Sequence, residues 1–189
     1  ASLPSDAEAS GRSFGEEELE YLREGLEAGR LFGPHGSFTR RVEALLAEIF
    51  GVPHVRMVSS GSAAVHTALG ALEIEPGDEV IMTPIADMGA ILPILYQGAV
   101  PIFADVDPLS LNVSAESIEA RLGERTRAVI VTHLFGNPVP MAPVMELARR
   151  HGFAVIEDAA QAFLARENGS LAGTVGNLGA FSLQQGKHM

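Results

Sequence analysis

Two rhythms of apolar positions divide the chain. Over residues 15–29, Leu19, Leu22 and Leu26 recur at helical spacing behind an acidic first turn, which predicts a helix. The stretch from Gly29 to Gly36, with Gly33-Pro34 inside it, breaks that helix. A second helix is predicted from Phe38 to Phe50, with Val42, Leu45, Leu46 and Ile49 on one face and Gly51 as its stop. Beyond it, short apolar runs alternate with helical stretches. Strands are predicted at Val55 to Val58, Glu79 to Met82, Val100 to Ala104, Ala128 to Thr132, Phe153 to Glu157 and Gly179 to Leu183. Helices are predicted at Ser62 to Leu72, Met88 to Tyr96 with a bend at Pro93, Ala115 to Leu122, and Ala142 to His151. The strands are apolar on both faces, as parallel strands are when helices cover both sides. The fold class that follows is α/β, a three-layer sandwich around a mostly parallel sheet.

Composition changes this picture mainly by exclusion. Hydrophobic residues make up 47% of the chain, enough for a true core. A formal net charge of −11 argues against a nucleic-acid partner, because phosphate contacts need clustered Lys and Arg. With no cysteine, this stretch holds no disulfide, thiolate metal site or cysteine nucleophile. The six histidines show no metal-ligand spacing, so no metal is assigned. No apolar run reaches membrane-spanning length and no signal segment opens the sequence, so no membrane partner is expected and a soluble, cytoplasmic protein is the default. Residues 1–13 are small and polar and read as a flexible tail, leaving 14–189 as the folded part. The sequence stops two residues after Lys187, so a piece of a longer chain is expected.

Three places carry candidate chemistry. Ser59-Ser60-Gly61-Ser62-Ala63 lies between a strand and a helix, where small residues and free N–H groups can admit a phosphate. It is equally an ordinary helix cap. Asp158 ends an apolar strand, at the carboxyl edge where α/β sheets bind ligands, and could hold a pyridine nitrogen protonated. An isolated Asp there could as well cap the next turn. Gln161, three residues on, could bond a ring hydroxyl or face solvent. Lys187, the sole lysine, follows Ser182 by five residues, a hydroxyl that could bind phosphate while the turn brings the amine to an aldehyde. His133 ends the strand Ala128 to Thr132 and could line the same carboxyl-end cleft. An amine, a carboxylate and a phosphate cradle are what pyridoxal 5'-phosphate requires of its protein.

Ser60-Gly61-Ser62-Ala63-Ala64, Pro101 to Asp107, His133-Leu134-Phe135-Gly136, Ile156 to Gln161, and Phe181-Ser182 followed by Lys187 occur in an order and spacing that resembles the DegT/DnrJ/EryC1/StrS family of sugar aminotransferases. The resemblance covers about residues 30–189 and implies the large domain of fold-type I enzymes dependent on pyridoxal 5'-phosphate. It implies that Lys187 binds the cofactor aldehyde, Asp158 pairs with the pyridine nitrogen and Gln161 contacts the ring hydroxyl. Ser182 and the backbone at Ser62 and Ala63 would hold the phosphate. The implied reaction moves an amino group from L-glutamate or L-glutamine to a keto-sugar, nucleotide-linked in many relatives, or to a keto-cyclitol. A homodimer with shared active sites is implied as well. Asp87 departs from the pattern: it stands where family members often carry an aromatic residue stacked on the ring, so a role toward ring or substrate is expected instead. Relatives that dehydrate sugars carry histidine in place of the lysine, whereas Lys187 is present here.

Two rival readings remain at this point. One is a non-catalytic pyridoxal-phosphate-binding regulatory protein on the same fold, motivated by Asp87. The other is a plain nucleotide-binding α/β domain, for which the glycine fingerprint is missing.

Overall fold

A computed structural model describes residues 15–33, 36–184 and 186–187; the expected tail 1–13 and Pro34 lie outside them. The chain divides into two compact units, Ala1–Met57 and Val58–Met189.

In the first unit, α1 (Glu16–Ala28) and α2 (Ser37–Phe50) form where the apolar periodicity places them, each ending at a glycine. Glu18 reaches back to accept the Gly15 N–H at 2.6 Å, closing the first turn of α1. Arg41 lies over the rings of Tyr21 and Phe38, 5.5 and 4.7 Å from their centroids, and pairs with Glu24 at 3.2 Å. The strand predicted at Val55 to Val58 does not form. A strand needs a neighbouring backbone, and the Met57 N–H goes instead to the Glu43 carboxylate at 2.9 Å.

The second unit holds α3 (Gly61–Ala71), β1 (Glu79–Met82), α4 (Met88–Tyr96), β2 (Val100–Phe103), α5 (Ala115–Glu119), β3 (Thr126–Thr132), α6 (Met141–His151), β4 (Ala154–Asp158), β5 (Arg166–Glu167), β6 (Ser170–Leu171) and β7 (Leu178–Ala180). Five strands make one parallel sheet in the order β2-β1-β3-β4-β7. Strand alternation splits the core into two. Val80, Met82, Ala128, Ile130 and Ile156 pack with α3 and α4. Ile81, Val129, Val131 and Val155 pack with α5 and α6 on the opposite face. The result is the expected three-layer α/β sandwich.

Pro93 sits buried inside α4, which spans Met88–Tyr96 as expected. Two details differ from expectation. Helix α5 stops at Glu119 rather than Leu122, because the next turns tighten into bonds from Arg121 N–H to Ile118 and from Leu122 N–H to Glu119. Strand β7 stops at Ala180 because its neighbour β4 ends at Asp158, the partner of Ala180. A hairpin, β5–β6, joins the list; Asn168 and Gly169 turn it with φ of 47° and 86°. No helix among the described residues is long and apolar enough to cross a membrane.

Candidate functional site

All candidate residues of the second unit lie after the carboxyl ends of the parallel strands or at the start of a helix beside them. That is the crevice where open α/β sheets hold ligands. The first turn of α3 forms because Ser60 caps it: its hydroxyl accepts the Ala63 N–H at 3.1 Å. The Ala63 amide is thus engaged, and the amides ahead of it, on Gly61 and Ser62, belong to the first turn, where an α-helix offers no intrahelical acceptor. Ser182 is buried against this turn; a Cβ on Gly61 would stand 3.1 Å from the Ser182 Cβ and 3.4 Å from its Oγ. Gly61 gives the segment after β7 room for this close approach; a Cβ would require Ser182 to shift by a few tenths of an ångström.

The start of α4 abuts the same place. Asp87 is its N-cap and accepts the Gly89 N–H at 2.7 Å. Gly89 faces the Ser62 hydroxyl so closely that a Cβ there would overlap it. The structure therefore gives Asp87 a definite local task, with one carboxylate oxygen turned to the helix and the group itself at the site's rim.

Asp158 is 8% exposed and stands opposite Thr132 in the β3–β4 register. Burial pushes its pKa above the ordinary aspartate value; the Ala160 amide, then His133 and Lys187, oppose the shift, and Asp87 adds to it. Among the described residues the Asp158 carboxylate has one hydrogen-bond donor, the Ala160 amide at 3.1 Å. The Thr132 hydroxyl, buried at the matching end of β3, has no hydrogen-bond partner among the described residues.

Gln161 lies beside the turn after β3. Its side-chain oxygen accepts the Phe135 N–H at 2.9 Å, which leaves its NH2 group to donate elsewhere. Phe135 pays in conformation, with φ of 55° and a ring 69% exposed. Lys187 follows β7 through a turn in which its N–H donates to the Gln184 carbonyl at 2.8 Å.

His133 corrects a sequence expectation. Its ring does not line the cleft; it is fully buried and bonded through Nε2 to Glu157 at 2.9 Å. The Val139 N–H donates to Nδ1 at 3.0 Å, so Nδ1 carries no proton and Nε2 is the donor to Glu157. Glu157 also accepts from the amides of Gly173, Val175 and Gly176 at 2.9, 2.6 and 2.6 Å. Burial alone would push its pKa up, but the His133 ring and the Gly176 and Gly173 amides outweigh it and hold the carboxyl below its ordinary value. Neighbouring acids on β4 thus face opposite sides of the sheet. The two-residue alternation of the strand carried that signal for Glu157 and His133, and it also places Thr132 on the Asp158 side.

The chain is similar to known proteins over most of its length. The sequence model of the DegT/DnrJ/EryC1/StrS aminotransferase family matches residues 12–189. A UDP-N-acetyl-3-dehydro-alpha-D-glucosamine 3-aminotransferase of Acidithiobacillus ferrooxidans is 42% identical over 154 residues, 82% of this chain and 42% of the relative. An L-glutamine:2-deoxy-scyllo-inosose aminotransferase of Streptomyces fradiae is 39% identical, covering 88% of this chain and 40% of that one. The crystal structure of an aminotransferase from Psychrobacter cryohalolentis superposes with a TM-score of 0.89 at 36% identity, over 93% of this chain and 44% of that one. The chain therefore spans less than half the length of these relatives. On the match across nearly its whole length, this chain belongs to the DegT/DnrJ/EryC1/StrS aminotransferase family.

Proposed function

We propose that the complete protein carrying this chain is a pyridoxal 5'-phosphate-dependent aminotransferase. It moves an amino group from L-glutamate or L-glutamine to a nucleotide-linked keto-sugar or a keto-cyclitol. One observation carries the reading: among the described residues, a buried Asp158 with a single hydrogen-bond donor ends β4 beside Thr132 of β3, whose buried hydroxyl has no partner, and Lys187 follows on the turn after β7. Such a pair of under-satisfied polar groups fits a ligand that presents a cationic N–H to the carboxylate.

Pyridoxal phosphate, when bound, supplies an electron sink for the bonds around an amino-bearing carbon. This chain's residues supply the rest. Asp158, held by burial and by the Ala160 amide, would keep the pyridine nitrogen protonated. Gln161 would donate its NH2 to the ring hydroxyl, because its oxygen is committed to Phe135. Ser182 and the first-turn amides at Ser62 and Ala63 would hold the phosphate, with the Gly61 amide beside them and Ala63 shared with the Ser60 cap. Asp87 would stay at the rim as the cap of α4, facing ring or substrate through its second oxygen. Lys187 would anchor the aldehyde and, once freed by the donor amine, take the proton from the carbon that bears the nitrogen. The sugar and cyclitol classes rest on the names of the two relatives above. A soluble, cytoplasmic homodimer completes the proposal, checked by sedimentation of the complete protein.

The test is cofactor titration of the complete protein, borohydride reduction and peptide mass spectrometry. A pyridoxyl group on Lys187, followed by spectral conversion of the cofactor with glutamate or glutamine, is expected. Absence of the Lys187 adduct overturns the cofactor assignment. An adduct without conversion by any amino donor favours the regulatory reading.

A further inference from the structure

Glu157 is fully buried, accepts four hydrogen bonds and takes no part in the chemistry described above. A carboxylate so placed costs several kcal/mol to desolvate unless its partners are fixed, so the loop that supplies three of them is held tightly. That loop, residues 173–176, is also where the chain turns toward β7. Gly173, with φ of 87°, abuts the tip of the Phe181 ring, and a Cβ on it would overlap that ring. Gly179 is backed onto the Gly173 carbonyl with no room for a side chain. Asn177 ties the exit of the loop to β4, its Oδ1 accepting the Val155 N–H at 2.8 Å and its own N–H donating to the Val155 carbonyl at 2.8 Å. Phe181 is followed directly by Ser182, the hydroxyl that rests on the first turn of α3.

We infer that Glu157, oriented by His133, is a positioning residue for the phosphate end of the site: it fixes the 173–176 loop, the loop seats Phe181, and Phe181 sets where Ser182 meets α3. The inference rests on the cofactor reading above and adds a specific consequence. A perturbation of Glu157 reaches the phosphate contacts through Phe181, while Asp158 and Gln161, on other connections, keep the ring contacts. A purely structural Glu157 would weaken both ends alike or neither.

The measurement compares the affinity of the cofactor-free complete protein for pyridoxal 5'-phosphate and for pyridoxal, which lacks the phosphate, by absorbance titration. Wild type is expected to prefer the phosphorylated form. Glu157→Gln puts an NH2 group against two of the four N–H donors, whichever way the amide turns, and is expected to lose about tenfold or more of that preference, with pyridoxal affinity changed less than about twofold. Phe181→Leu removes the ring between loop and serine while leaving Glu157 and its donors intact, and is expected to show the same phosphate-selective loss; it decides the matter if Glu157→Gln does not fold. Retention of the wild-type preference in the folded variants, or equal loss of both ligands, overturns the inference while leaving the cofactor reading standing. Failure of wild type to bind pyridoxal 5'-phosphate overturns both.

Discussion

Asp158 and Glu157 are adjacent, both buried, and displaced in opposite directions, and the donor count explains it. Among the described residues Glu157 has four N–H partners and Asp158 has one. Asp158 is therefore the less satisfied of the two buried carboxyls. Its folded pKa lies above the ordinary value. The stability it contributes is then fully present below the ordinary aspartate range and is lost as pH rises through the raised folded value. Asp158→Asn keeps an acceptor for the Ala160 amide but removes the ionisation. In thermal melts of the cofactor-free protein, wild type is expected to lose stability relative to the variant as pH rises from about 4 toward neutrality. The same variant, loaded with cofactor, is expected to turn over at least about 100-fold more slowly. Glu157 acts with the opposite sign: its contribution is present above the ordinary glutamate range and lost as pH falls through its lowered folded value, so the two slopes separate on the pH axis.

At the scale of elements, the close approaches matter more than the elements' lengths. Gly70 lies within α3 with nothing near its missing Cβ, whereas Gly176 faces the Val155 carbonyl, 2.9 Å from where a Cβ would stand. Gly70→Ala is expected to stabilise by about 0.5–1 kcal/mol, since alanine restricts the unfolded chain and favours helix. Gly176→Ala is expected to destabilise by about 1–3 kcal/mol, since backbone must move off backbone. Chemical denaturation of the two variants beside wild type checks the opposed signs. The hairpin β5–β6 is instructive at this scale too. Its Asn168-Gly169 pair is a strong local turn signal, yet its two-residue strands are too short for alternation to register. The Val55 to Val58 run shows the reverse, a strand-like composition without a neighbour to pair with.

Across the whole second unit, one sheet separates two cores that share no side chain. Ile130 belongs to the layer with α3 and α4, and Ile118 to the layer with α5. Ile130→Val and Ile118→Val are each expected to cost about 0.5–1.5 kcal/mol and to add within about 0.5 kcal/mol. Ile130→Val with Ile94→Val, inside one layer, is expected to depart from additivity; denaturant midpoints of the single and double variants decide it. Local pattern was sufficient for the order and type of most elements, because helix and strand periods depend on near neighbours. The candidate residues Ser62, Asp158, Gln161, Ser182 and Lys187 rest on short motifs and a family resemblance; the local pattern by itself leaves each open between a ligand contact and an ordinary cap or surface role. Tertiary structure alone decided which of those groups meet. The seating of Ser182 on α3, the commitment of the Gln161 oxygen to Phe135, the capping by Asp87 and the withdrawal of His133 to Glu157 each join residues distant in sequence or turn a side chain to a particular partner. Such pairings depend on packing between layers and on the competition of buried donors and acceptors for one another, which no local period records.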